Sequence, residues 1–70
     1  MKDLAYYKVF YWKHGRKDFT WDLTEVNATN DRQAKIEATA SVSEYLRMTN
    51  IDHKISHARL YYDPDGRIVE

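Results

Sequence analysis

Cysteine is missing from the 70 residues, which excludes a disulfide framework, a thiolate metal site and a cysteine nucleophile, and makes a reducing, cytosolic setting the expected one. Glycine is almost as scarce. With only Gly15 and Gly66 there is no glycine-rich loop to cradle a phosphate, and no serine or threonine has the strand-turn-helix setting of a nucleophile elbow. No apolar run approaches the roughly 18 residues that cross a bilayer, and Met1 is not followed by the apolar core of a secretory signal, so neither spanning nor export is expected. Net charge is lacking too. Eleven basic residues cancel eleven acidic ones, which leaves neither the basic footprint usual for duplex nucleic-acid binders nor the acidic excess of a DNA mimic. Repeats, linkers and low-complexity runs are also absent, so residues 1–70 read as one domain. A domain this small buries only about 60% of its unfolded surface, and its ten aromatic residues must supply the density of the core.

What is present organises around residues 27–48. Asn30 suits a helix N-cap, because its side-chain oxygen can accept from the free N–H groups of the first turn, and Asp31 adds negative charge at the positive end of the helix dipole. Ala34, Lys35, Glu37, Ala38, Ala40, Glu44, Leu46, Arg47 and Met48 favour the helix, and Asn50 suits a left-handed C-terminal cap. At about 100° per residue, Ala34, Ala38, Ser41, Val42, Tyr45 and Met48 gather on one side, with Leu46 at its margin. Small residues at the start of this stripe allow close approach to a sheet. Ile36 points away from it.

Residues 4–13 are rich in strand formers, residues 18–28 alternate apolar with polar, and His14-Gly15-Arg16-Lys17 between them suits a two-residue type II′ hairpin. That turn pairs Trp12 with Phe19, Phe10 with Trp21 and Lys8 with Leu23. One face then collects Tyr6, Phe10, Trp12, Phe19, Trp21 and Leu23, and the other Ala5, Tyr7, Val9, Tyr11, Thr20, Asp22 and Thr24. Tryptophan and phenylalanine are expected against the small-residue helix, and the tyrosines, with hydroxyls kept wet, on the uncovered side. Trp21→Ala is then a core truncation expected to cost about 3–5 kcal/mol, whereas serine at positions 7 and 11 should leave folding nearly intact. Val26 and Ala28 have the wrong parity for this core face, which predicts a bulge near residues 24–26. After a loop at residues 49–52, residues 54–62 form a third strand with Ala58, Leu60 and Tyr62 inward and His57, Arg59 and Tyr61 outward; Ile55 fits neither assignment. Asp63-Pro64-Asp65-Gly66 is a turn, and residues 67–69 a short fourth strand or an extended tail. The fold class is α+β, in the order β-β-α-β(β), a single antiparallel sheet with one helix packed on one face. Chain direction brings the hairpin tip and the loop leaving the helix to the same end.

Two groups of side chains are candidates for function. His53 and His57 lie roughly 13 Å apart if they share a strand and then cannot bind one ion. His14 at the hairpin tip could meet either of them, with Asp18 or Asp52 as a carboxylate partner, in a zinc-like set; surface histidines in turns are the plain alternative. No metal or other cofactor is therefore expected. Nor is enzyme activity, because Asp22 and Glu25 lie in or beside a strand, and Asp63 and Asp65 are turn residues. The second group is the uncovered sheet face, where Tyr7, Val9, Tyr11, His57, Arg59 and Tyr61 make a tyrosine-rich surface with polar margins, the composition of a partner-binding patch. A one-helix sheet must also leave one face in water whatever its function. Homodimerisation is one form such binding can take. A single-stranded nucleic-acid platform is another, with bases on the rings and phosphates on Lys8, Lys13 and Arg59, although Asp22 would intrude on it.

A hairpin whose second strand ends Val26-x-Ala28-x-Asn30, followed by a helix carrying Gln33-Ala34 and then Ala38, resembles small phage and mobile-element proteins of sheet-plus-one-helix build, several anti-CRISPR proteins among them. The resemblance covers residues 19–46 and lies in packing positions. It implies a protein of the bacterial host cytosol that inhibits a host protein or protein–nucleic acid complex, such as a CRISPR effector nuclease, by occupying its surface and blocking DNA loading or target engagement, without chemistry of its own.

Overall fold

The structure, a computed structural model, describes residues 5–68. Its elements follow in the order β1 (Ala5–Lys13), β2 (Thr20–Val26), α1 (Asp31–Met48) and β3 (His53–Tyr62). The three strands form one antiparallel sheet in the order β2-β1-β3, and α1 covers one face of it, an α+β arrangement of β-β-α-β type. No helix among the described residues is long and apolar enough to cross a membrane.

The ends of α1 are fixed by local chemistry. Asn30 is extended and its Oδ1 accepts from the Gln33 N–H at 2.8 Å, satisfying a donor of the first turn. At the other end Asn50 takes a left-handed φ of +58°, and the chain closes with Asn50 N–H donating to the Arg47 carbonyl and Ile51 N–H to the Leu46 carbonyl. This is a Schellman motif, with Ile51 turned back against the core beside Leu46. The buried row is Ala34, Ala38, Val42 and Leu46, while Tyr45 and Met48, expected inward, are exposed. Spacing of four throughout makes a row inclined to the helix axis, and such a row follows the twist of the sheet beneath it. Leu46 is therefore central rather than marginal.

The β1–β2 register is the one expected, with Phe10 opposite Trp21 and Lys8 opposite Leu23. The connection differs. Paired residues end at Tyr11 and Thr20, and Arg16 N–H donates to the Lys13 carbonyl around Gly15, whose φ is +79°. A positive φ at the third residue of the turn replaces the two-residue hairpin, and the loop is wider. No bulge occurs at residues 24–26; the irregularities lie in the β1–β3 ladder, where Ser56 and Tyr61 are passed over. The first of these shifts puts Ile55 opposite Tyr11, and its side chain packs against the core.

Faces are reversed on the first two strands. The helix covers Ala5, Tyr7, Val9 and Tyr11, with Val26, Ala28 and Ala58, whereas Phe19, Trp21 and Leu23 are about half exposed. Val26 and Ala28 thus have the right parity for the actual core. After β3, Gly66 N–H donates to the Asp63 carbonyl, and the Ile68 N–H donates to Asp63 Oδ2 at 2.9 Å, so the turn is formed. These backbone donors, Ile68 first, hold the Asp63 carboxyl below its usual range. Residues 67 and 68 form no strand; Val69 lies outside the described residues.

The core composition sets an order of stabilities. Leu46→Ala, at a fully buried position, should cost about 2–4 kcal/mol, and Trp21→Ala, on the uncovered side, at most about 1.5 kcal/mol. Urea denaturation of both variants checks this, and a larger loss for Trp21→Ala would reverse the assignment of faces.

Candidate functional site

The core face explains why the other face is so aromatic. Tyr7 is 0% and Tyr11 2% exposed, and neither hydroxyl needs water. The Tyr7 hydroxyl donates to Asp31 Oδ1 at 2.5 Å, and Asp31 Oδ2 lies 2.7 Å from Lys35 Nζ one helical turn on. Tyr11 donates to Asp22 Oδ2 at 2.8 Å. A tyrosine can be buried at little cost when its hydroxyl finds an acceptor at the edge of the core. The expected anchors Tyr7, Val9 and Tyr11 are therefore core residues, inaccessible to a partner in the folded protein. The premise that phenols need the wet side fails because two carboxylates replace the water.

The open face is built from alternate residues of all three strands. Tyr6, Lys8, Phe10 and Trp12 come from β1, Trp21 and Leu23 from β2, and Lys54, His57, Arg59, Tyr61 and Tyr62 from β3, with Phe19 just ahead of β2. His57, Arg59 and Tyr61 stand where the sequence placed them, outward and exposed. The rings pack across strands: Trp12 on Phe19 with centroids 4.4 Å apart, Phe10 on His57 at 4.7 Å, and Tyr6 near Tyr62 at 6.4 Å. The two shortest separations match the spacing of neighbouring strands, so these rings stand tilted up from the sheet rather than lying flat on it. Between Trp21 and Tyr61 lies the Lys8 ammonium, 4.3 Å and 4.8 Å from the two ring centres. Among the described residues, Lys8, Lys54 and Arg59 are the cations of this face. The carboxylate at its margin, Glu25, accepts from the Tyr6 hydroxyl at 3.4 Å. Asp22, expected inside the platform, lies on the helix side.

Two signals in the sequence pointed to this face. Lys8 shares the parity of Phe10 and Trp12, so a core made from those rings would have buried an ammonium, a costly act without a partner. Val26 and Ala28 gave the same answer.

The histidines are separated. His53 turns beneath the helix, with Nδ1 2.9 Å from the Ile51 carbonyl and Nε2 3.1 Å from Ser43 Oγ. Since a carbonyl only accepts, Nδ1 donates to it, and Nε2 shares a hydrogen bond with the serine hydroxyl. His57 stacks on the opposite face. His14 meets Asp52 at the shared end of the molecule, as chain direction required, through a His14 N–H bond of 3.0 Å to the Asp52 carbonyl and an exposed 3.6 Å side-chain approach. The zinc-like set is thus not assembled, and no group of three or more His, Cys, Asp or Glu among the described residues could hold a metal ion. A shallow groove of about 370 Å³ runs between β2 and α1 along Leu23, Thr24, Ser41 and Tyr45, bridged by a 3.3 Å Thr24–Ser41 hydrogen bond.

The two phenol–carboxylate pairs give the stability a pH signature. The Lys35 ammonium and then the Tyr7 hydroxyl hold the Asp31 carboxyl below its ordinary range. A folded-state pKa below the unfolded one contributes stability present above the unfolded value and lost as pH falls through the folded one. Burial first, and then the bond to Asp22, push the Tyr11 phenol up to about 12. That contribution is intact below the unfolded value near 10 and disappears as pH rises through about 12. Thermal unfolding from pH 2 to 5 should show an acid loss that Asp31→Asn flattens, and absorbance titration at high pH should show a late phenol that Tyr11→Phe removes.

Compared with known proteins, the chain matches no family model, no curated protein and no solved structure.

Proposed function

We propose that the protein is a non-enzymatic binding protein that lays the open face of its sheet on a macromolecular partner. The observation that carries this reading is the outward aromatic surface itself: Phe19, Trp21, Leu23, Tyr61 and Tyr62, each about 40–60% exposed, lie on one side of the sheet around Lys8 and Arg59. Contiguous exposed rings with a polar margin mark interaction sites, and tryptophan, tyrosine and arginine dominate binding energy where they occur. Charge narrows the partner. Among the described residues, three cations against one marginal carboxylate, Glu25, make the face complementary to an anionic surface. They also disfavour two copies packed face to face, which would set like charges against each other. The cytosol of a bacterial host is the setting proposed with this reading. The inhibitor implied by the resemblance to small phage proteins would act there by occlusion, covering a protein or protein–nucleic acid complex.

Site-specific photo-crosslinking tests the docking face. With p-benzoylphenylalanine in place of Tyr61, irradiation in bacterial cells should give discrete cross-linked products. The same probe at Ile36, exposed on the helix, should not give them. Equal labelling from both positions, or none from Tyr61, would overturn the assignment.

A further inference from the structure

Trp21, Lys8 and Tyr61 form a row across the three strands at the centre of the open face. An ammonium 4.3 Å and 4.8 Å from two ring centres occupies the space between a ring on β2 and a ring on β3. Arg59, directly opposite Lys8 in the ladder, is exposed beside it, and a cavity of about 200 Å³ opens along Lys8, Phe10, Arg59 and Tyr61. Two demands meet here. Aromatic faces carry negative potential, so they attract cations and repel carboxylates, and as broad apolar surfaces they take flat rings in offset stacks. The cations, by contrast, call for anions. An acidic protein surface satisfies the cations but sets its carboxylates against the ring faces. An unstacked nucleotide satisfies both, with its base on the rings and its phosphates on the cations. A duplex does not, because its bases are already stacked on one another.

Resting on the reading of the open face as a docking surface, we infer that this face binds single-stranded nucleic acid, a base stacking on Trp21 or Tyr61 while Lys8 and Arg59 hold the flanking phosphates. Lys8 is the pivot. In the free protein its ammonium caps both rings, and on binding it swings to a phosphate and leaves the ring faces to the base. The four-carbon stem allows this movement without a change in the sheet.

Fluorescence anisotropy with fluorescein-labelled oligouridylate and oligothymidylate of about 12 nucleotides tests the inference. At least one oligonucleotide should bind, more weakly as salt rises. Trp21→Ala and Tyr61→Ala should each lower affinity about tenfold or more. Lys8→Gln should weaken binding and reduce the slope of log affinity against log salt by about 0.7, one single-strand phosphate contact, and Ile36→Ser on the helix should change nothing. Failure of both oligonucleotides to bind, equal affinity for a duplex of the same length, or an equal effect of Ile36→Ser overturns it. If neither oligonucleotide binds while the probe at position 61 still cross-links a protein, the nucleic-acid inference falls and the docking face stands. If both experiments are negative, both readings fall.

Discussion

Two hydrogen bonds decide which side of the sheet faces the helix. Tyr7 and Tyr11 are the longest side chains in the core, and each reaches across it to a carboxylate at the rim, Asp31 on the first turn of α1 and Asp22 on β2. A buried hydroxyl left without an acceptor costs about 1–3 kcal/mol, a large fraction of what a domain of this size has in hand. With acceptors supplied, a tyrosine contributes its ring to the core and ties β1 to a neighbouring element at its tip. Asp31 is shared further with Lys35, so the start of the helix, the middle strand and the helix surface meet at one carboxylate.

The rest of the core follows from the space these rings leave. Ala34 and Ala38 let the helix approach the sheet closely, and opposite them the sheet presents Ala5, Val9, Val26 and Ala58. Between surfaces so close there is no volume for an indole, and forcing one in would push the helix away from the residues that define its position. Trp12, Trp21, Phe10 and Phe19 therefore lie outside. Trp12 on Phe19 and Phe10 on His57 stabilise the open face instead by ring packing, at separations of 4.4 Å and 4.7 Å, and Trp21 does so through the Lys8 ammonium.

Local rules made much of this legible in the sequence. Asn30 as N-cap, Asn50 as left-handed cap, the turn at Asp63–Gly66 and the pairing of Phe10 with Trp21 all rest on contacts within a few residues or on strand parity across one hairpin, and each appears as expected. The choice of face does not rest on such contacts. Both sides of β1 are aromatic, so alternation alone is symmetric, and size favoured the wrong side because tryptophan is more apolar than tyrosine. The answer lay in less conspicuous residues: Lys8, which belongs in water, and Val26 and Ala28, whose parity matches Ala5 rather than Phe10. The displacements at Ser56 and Tyr61 had no signature, since neither residue is a glycine or proline. Hence His57, Arg59 and Tyr61 were placed on the open face correctly, while their expected neighbours Tyr7, Val9 and Tyr11 were not.

Net charge misleads for a related reason: it sums over two surfaces that a ligand never meets together. The carboxylates of Asp22, Asp31, Glu37 and Glu44 belong to the helix side of the sheet, where Lys35 pairs with Asp31. Glu37 and Glu44 stand on the helix, about 10 Å beyond the sheet and so slightly more than a Debye length away at physiological ionic strength, while Asp22 is engaged by Tyr11 and Asp31 by Tyr7 and Lys35, so these charges act less on a ligand lying on the opposite face than the cations that line it. That ligand meets Lys8, Lys54 and Arg59, with Glu25 at the margin already accepting from Tyr6. A chain of zero formal charge can in this way present a locally cationic aromatic surface, and the electrostatic objection to an anionic partner, sound for the molecule as a whole, does not hold for this side of the sheet.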